Sequence, residues 1–167
     1  MDRRPTMHLV PTARVTRDVP DRLGALSALP AIDYADRFTL TTGAVATPEE
    51  WARAMFGDTP SPAEVLIWRG VLGFRLIRGR SPATVGGWRI GGRGPGWIRL
   101  ETASWFLSAN MLVQTGGGEV SWTTCLRFDR PLGRVVWIPA SAVHRRLVPG
   151  VLRAAAARLT AGGRDAS

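Results

Sequence analysis

Two alternating stretches near the middle of the chain, Trp105–Gln114 (WFLSANMLVQ) and Glu119–Asp129 (EVSWTTCLRFD), are separated by Thr115-Gly116-Gly117-Gly118. Side chains on a strand point to opposite faces in turn, so two facing strands can be checked pair by pair. With Gln114 opposite Glu119 across a four-residue loop, Val113 meets Val120 and Met111 meets Trp122. Ala109 then meets Thr124, Leu107 meets Leu126 and Trp105 meets Phe128. Every pair on that face is apolar or small. The other face sets Leu112 against Ser121, Asn110 against Thr123, Ser108 against Cys125 and Phe106 against Arg127, and is mostly polar. A slip of one residue would mix the two faces. The pattern therefore predicts an antiparallel hairpin with one greasy face and one wet face.

A greasy sheet face needs a cover. The only stretch long enough lies near the end, where a helix is expected to begin at Pro139, after a turn at Asp129-Arg130-Pro131 and a short strand at Leu132–Ile138. At 100° per residue, Val143, Leu147, Val151, Ala155 and Leu159 form a drifting stripe that Val148 and Leu152 widen. Arg145, Arg146 and Arg153 fall on the other side. His144 falls near the middle of the apolar arc. Pro149 removes one helical hydrogen bond and predicts a kink, at about 3 kcal/mol in an undisturbed helix. For His144, the residues leave three readings open: a core histidine bonded to backbone or water, a ligand-contacting or catalytic group, or a surface side chain.

Two helix starts stand upstream. Thr47-Pro48-Glu49-Glu50 and Ser61-Pro62-Ala63-Glu64 each offer a capping hydroxyl, a proline at the first helical position and a glutamate that reaches back. The first helix should end near Gly57-Asp58-Thr59-Pro60. The second should run from Pro62 towards Arg78 and bury Val65, Trp68, Leu72 and Leu76. Tyr34–Leu40 alternates loosely and reads as a first strand. Trp88–Ile90 and Trp97–Ala103 flank the glycine-rich turn at residues 91–96. That turn lacks the lysine, the hydroxyl and the following helix of a phosphate cradle. Residues 1–32, with four prolines, read as an extended, partly irregular arm with a short turn of helix at Arg22–Leu29. Residues 33–161 read as one domain and 162–167 as a flexible tail.

Composition narrows the function classes. No apolar run reaches the roughly 18 residues of a membrane span, and the N-terminus has no apolar segment of a secretory signal. Cys125 is a lone cysteine, so a cytoplasmic protein without an internal disulfide is expected. The net charge is +9, but all 22 basic residues are arginine and none forms a run longer than two. Such scatter suits a solvated surface better than a nucleic-acid footprint. Two histidines and one cysteine, far apart, do not suggest a zinc site. Neither a metal nor another cofactor is expected.

The order of elements, together with DYADRF (residues 33–38), LGRVVWIP (132–139) and VHRRLVPGVLRAA (143–155), resembles the START-like or Bet v 1-like superfamily (SRPBCC, polyketide cyclase-like), and most of all a bacterial branch of small domains. The resemblance covers about Asp33 to Leu159. It implies an α+β helix-grip fold: a curved antiparallel sheet wrapped around a long C-terminal helix, with two short helices after the first strand. It also implies a cavity between helix and sheet for an apolar guest. The inward residues that would line it are Trp105, Leu107, Met111, Trp122, Thr124, Leu126 and Phe128 from the sheet, with His144, Leu147, Val148 and Val151 from the helix.

The expected function is binding of a small hydrophobic molecule such as a lipid, an aromatic or a polyketide-like compound. An enzyme of cyclase or dehydratase type, with His144 as acid or base, is the alternative. It needs a second inward polar group, for which Thr124 and Thr102 are weak candidates and no carboxylate presents itself. Nucleic-acid binding through arginine ranks third. A monomer or homodimer without a membrane span is expected.

Overall fold

The computed structural model describes residues 25–163 and, for the backbone alone, residues 14–16 and 164–165. The start of the expected helical turn, residues 22–24, lies outside the described residues. An antiparallel sheet is built from β1 (Arg14–Thr16), β2 (Tyr34–Thr41), β3 (Thr84–Val85), β4 (Trp88–Gly94), β5 (Trp97–Ala103), β6 (Leu107–Gly116) and β7 (Glu119–Phe128). The strand order is β1-β2-β7-β6-β5-β4-β3. Two short helices, α1 (Pro48–Phe56) and α2 (Pro62–Val65), follow β2, and α3 (Pro131–Asp165) ends the fold. The class is therefore α+β, a sheet with one long helix laid against it.

The hairpin β6–β7 places Leu107, Ala109, Met111 and Val113 on the same face as Val120, Trp122, Thr124 and Leu126, as alternation requires. Its register differs from the expected one by two residues. Gly116 pairs with Glu119, Val113 with Trp122 and Met111 with Thr124. The cause is the turn: Gly117 and Gly118 have φ of 59° and 76°, so they close a two-residue connection that only glycine adopts without strain. A shift of two keeps every side chain on its face.

The opposite face is not wet. Asn110, Leu112, Ser121, Thr123 and Cys125 are all buried. Chain from the N-terminal arm lies on it: Ser27 Oγ and the Ala28 N–H both donate to Asn110 Oδ1, at 3.0 and 2.7 Å. Arg99 donates to the Leu26 carbonyl at 2.8 Å. Asn110 and Arg99 are thus hydrogen-bond partners for a segment whose own sequence gives little sign of where it goes.

Both capping boxes form. Glu50 Oε2 accepts from the Thr47 N–H at 2.7 Å, and Glu64 Oε2 from the Ser61 N–H at 2.7 Å. Helix α1 then buries Trp51, Ala52, Met55 and Phe56. Helix α2 departs from expectation. It widens into a π-helical segment, Leu66–Val71, closed by the Leu72 N–H donating to the Ile67 carbonyl at 3.0 Å, and goes no further. Leu72 and Leu76 are buried, but outside the helix, while Val65 and Trp68 are only half-buried. None of α2 or its π extension is fully buried.

The largest correction concerns Leu132–Ile138, which is not a strand. Helix α3 starts at Pro131 and runs unbroken through both Pro139 and Pro149. Proline suits a first helical position, where its missing N–H has no partner to lose. Gly133, Trp137 and Ser141, spaced one turn apart, then face the interior. Further along, Val148, Leu152, Ala155 and Ala156 are buried against the core. Arg158 ties the helix to α1 by donating to the Ala54 carbonyl at 2.6 Å.

Candidate functional site

Between the sheet, α3 and the π segment lies a cavity of about 200 Å³. Each wall follows from a local pattern. Strands β6 and β7 supply Met111, Trp122, Thr124 and Leu126 by alternation. Helix α3 supplies Ala140, Val143, His144, Leu147, Val148 and Val151, which share one side at 100° per residue. The π segment supplies Ile67, Trp68 and Val71. A π turn swings side chains out of the ordinary helical register. Val71, Val143 and Leu147 are exposed as well as cavity-lining, so they form an apolar lip.

Eight of the expected lining residues meet here: Met111, Trp122, Thr124, Leu126, His144, Leu147, Val148 and Val151. Three do not. Leu107 is fully buried in the core away from the cavity, and Phe128 is half-buried beside it. Trp105 precedes β6 altogether. It is 58% exposed, with the Arg130 guanidinium 5.8 Å over its ring. The two-residue turn moves the register so that Leu107, not Trp105, faces Phe128.

The cavity has one polar island. His144 Nε2 lies 3.3 Å from Asp36 Oδ1 and 3.2 Å from Thr124 Oγ1. Asp36 and Thr124 face one another across β2 and β7. The Tyr34 hydroxyl donates to the second carboxylate oxygen, Asp36 Oδ2, at 2.6 Å. Asp36 is 0% exposed. A buried carboxylate needs partners for both oxygens, and these are the tyrosine and the histidine. A carboxylate only accepts, so the His144 contact places a proton on Nε2; in the neutral ring Nδ1 is then an acceptor. Nδ1 makes no hydrogen bond with a described residue.

Aromatic rings enclose the island. Trp137, Trp122 and Phe38 stand 5.4, 5.6 and 5.8 Å from the His144 ring, and Tyr34 meets Trp137 edge-on at 5.2 Å. A second string runs along the cavity: Trp122 to Phe56 at 4.9 Å, Phe56 to Trp68 at 5.8 Å and Trp68 to Trp88 at 5.5 Å. The indole N–H groups of Trp88, Trp122 and Trp137 are buried without a hydrogen-bond acceptor among the described residues. Their edge-on neighbours are aromatic faces, which accept weakly.

The same burial acts on nearby protons. Burial, and then the hydrogen bond to Asp36, push the Tyr34 hydroxyl well above the usual tyrosine range. Burial and the Asp36 charge push the Cys125 thiol up to about 11.

Asp36 and Tyr34 escaped the sequence-based site. The signal was present: Asp36 shares its strand parity with Phe38 and Leu40, both fully buried. A carboxylate on the greasy parity of a strand asks for an inward partner. Ser141, three residues before His144, is no part of the site. Its hydroxyl donates to the Ile138 carbonyl of its own helix at 2.8 Å.

No protein-family model, curated protein or solved structure matches this chain. Among the described residues, no group of three or more His, Cys, Asp or Glu side chains could hold a metal ion. No helix there is long and apolar enough to cross a membrane.

Proposed function

We propose that this protein binds a small, mainly apolar molecule in the cavity beneath α3, in a helix-grip arrangement like that of START-like domains. One observation carries the reading: a largely apolar space of about 200 Å³ whose wall brings His144 and Thr124 together as a polar island. Cavities of this make-up, apolar with few placed polar groups, are what small-molecule sites look like. Burying apolar area supplies affinity at roughly 25 cal/mol per Å², and the polar island sets orientation. The exposed lip of Val71, Val143 and Leu147 supplies a route in.

A second reading has an observation of its own. Asp36 holds the His144 ring by Nε2 at 3.3 Å, and a carboxylate paired with a histidine is the arrangement that orients a general base. Acid–base chemistry of the cyclase or dehydratase kind would occupy the same cavity, with His144 moving the proton and Asp36 positioning it. Native mass spectrometry of protein purified from the organism that makes it tests the binding function. A bound small molecule, lost on denaturation, is the expected result; a bare chain that also takes up no apolar compound would contradict it.

A further inference from the structure

We infer that the outward face of α3 docks this protein on an anionic phospholipid bilayer. The inner side of α3 belongs to the core, where Trp137, Val148, Leu152 and Ala155 are buried. Its outer side should then be polar. Instead Leu132, Val135, Ile138, Val143 and Leu147 are all exposed, Val135 by 66% and Ile138 by 63%. At 100° per residue these five fall within one half of the helix, away from the buried stripe. The neighbouring π segment adds Leu66 and Val71, both exposed. Apolar groups gathered on one face in this way mark a surface that meets a membrane or a partner.

Charge decides between them. From Pro131 to Arg164 the sequence has arginine at 134, 145, 146, 153, 158 and 164 and no acidic residue. Arg134, Arg146 and Arg153 are exposed, and Arg146 and Arg153, two turns apart, share the side of Val135. Arg69 is exposed on the π segment. Glu64, the one carboxylate in the cavity wall nearby, already accepts from the Ser61 N–H at 2.7 Å. A second copy of the chain laid on this face by a two-fold axis would set these guanidinium groups against their own copies. Nucleic acid would meet the arginines and leave valine and isoleucine nothing apolar to enter. An anionic bilayer answers both features. Acyl chains receive the apolar groups, and lipid phosphates receive the guanidinium groups at the ends of their long stems.

The start of α3 adds a matching feature. Arg130 precedes the helix and stands over the exposed ring of Trp105. Tryptophan belongs at the boundary between acyl chains and water, where its ring is half apolar and half wet. The helix lies along the surface and does not enter as a span, since no helix among the described residues is long and apolar enough to cross. Val143 and Leu147 also line the cavity, so docking turns its lip towards the lipid. The docking itself requires no guest.

Co-sedimentation of the full chain with vesicles tests this, using phosphatidylcholine alone and phosphatidylcholine mixed with phosphatidylglycerol. Binding to the mixed vesicles should be at least about tenfold stronger and should weaken as salt is raised. Arg146→Gln with Arg153→Gln should lower it about fivefold for each arginine lost. Val135→Ser with Ile138→Ser, which leave the charge unchanged, should lower it about tenfold. Arg89→Gln with Arg93→Gln remove the same charge from β4, at the other end of the sheet from the strands that α3 touches. That pair should change binding less than about twofold. Equal binding to both vesicles, no loss in the serine variant, or as large a loss from the β4 variant would overturn the inference. A dimer in sedimentation velocity that Val135→Ser with Ile138→Ser dissolves would assign the face to a second copy and overturn it too. None of these substitutions touches the cavity wall, so the binding function stands or falls by its own test.

Discussion

Asp36 and His144 lie 108 residues apart in sequence and 3.3 Å apart in space, carboxylate oxygen to ring nitrogen. One sits on the second strand and the other on the terminal helix, so their contact joins the two halves of the fold. It also fixes which ring nitrogen of the histidine is bonded within the protein, Nε2.

The pair should couple in stability. Removing one partner of a buried ionic or hydrogen-bonded pair strands the other, typically at about 3 to 5 kcal/mol. His144→Leu should therefore destabilise the fold by about 3 kcal/mol in urea unfolding, and Asp36→Leu added to it should restore at least half of the loss. A neutral single substitution, or a double variant no better than the single, would show that Asp36 does not depend on His144. From sequence alone, a leucine at position 144 looks harmless, because no carboxylate is visible beside it.

Stability should fall early on the alkaline side. The folded state holds the Cys125 proton up to about 11, against an ordinary value of 9.0. A raised folded value means that the unfolded chain loses its proton first. The stabilisation is whole below pH 9 and drains away as pH rises towards 11. The slope from this one group is at most about 1.4 kcal/mol per pH unit. Tyr34, also raised, adds to the loss at higher pH. Chemical unfolding of Cys125→Ala between pH 8 and 11 should show a flatter dependence than the parent; identical slopes would contradict the assignment.

Gly133 should resist the usual helix improvement. Alanine in place of glycine inside a helix ordinarily gains about 0.5 to 1 kcal/mol. Here a Cβ would stand 2.6 Å from the Phe106 carbonyl oxygen. Gly133→Ala should instead lose roughly 1 to 3 kcal/mol, as overpacking does. A raised melting temperature would mean that α3 does not sit so close to the loop before β6.

The first capping box should be worth about 1 kcal/mol. Thr47→Ala removes the hydroxyl that accepts from the Glu50 N–H at 3.2 Å. Thr47→Ala and Glu50→Ala together should cost less than the sum of the two, because each uses the other. Strict additivity in thermal unfolding would speak against a reciprocal cap.

Where the sequence could be read, period and punctuation did the work. Alternation in β6 and β7 assigned Met111, Trp122, Thr124 and Leu126 to one face, and an error of two in register did no harm to that assignment. Both helix starts followed from a hydroxyl, a proline and a glutamate in fixed order. Eight of the expected cavity residues came from these local rules and from the periodicity of α3.

What escaped depended on distant partners. Val135-Val136-Trp137-Ile138 has the composition of a strand, but packing of Gly133 and Trp137 against the core makes it helix. The polar face of the hairpin looked solvated until the arm covered it through Asn110 and Arg99. The π segment follows from no local sequence rule, although it carries Trp68 and Val71 into the cavity wall. Asp36 could be placed on the inner face by parity, but only the folded chain supplies its histidine.

The account turns on an apolar space beneath α3 that a guest can enter. Diffraction from crystals pressurised with xenon measures this directly, since xenon occupies dry apolar cavities of this size. The account predicts a xenon peak bounded by Trp68, Trp122, Leu147 and Val148, the residues that line the cavity. Side chains closed over that space, with xenon absent from it, would contradict the account.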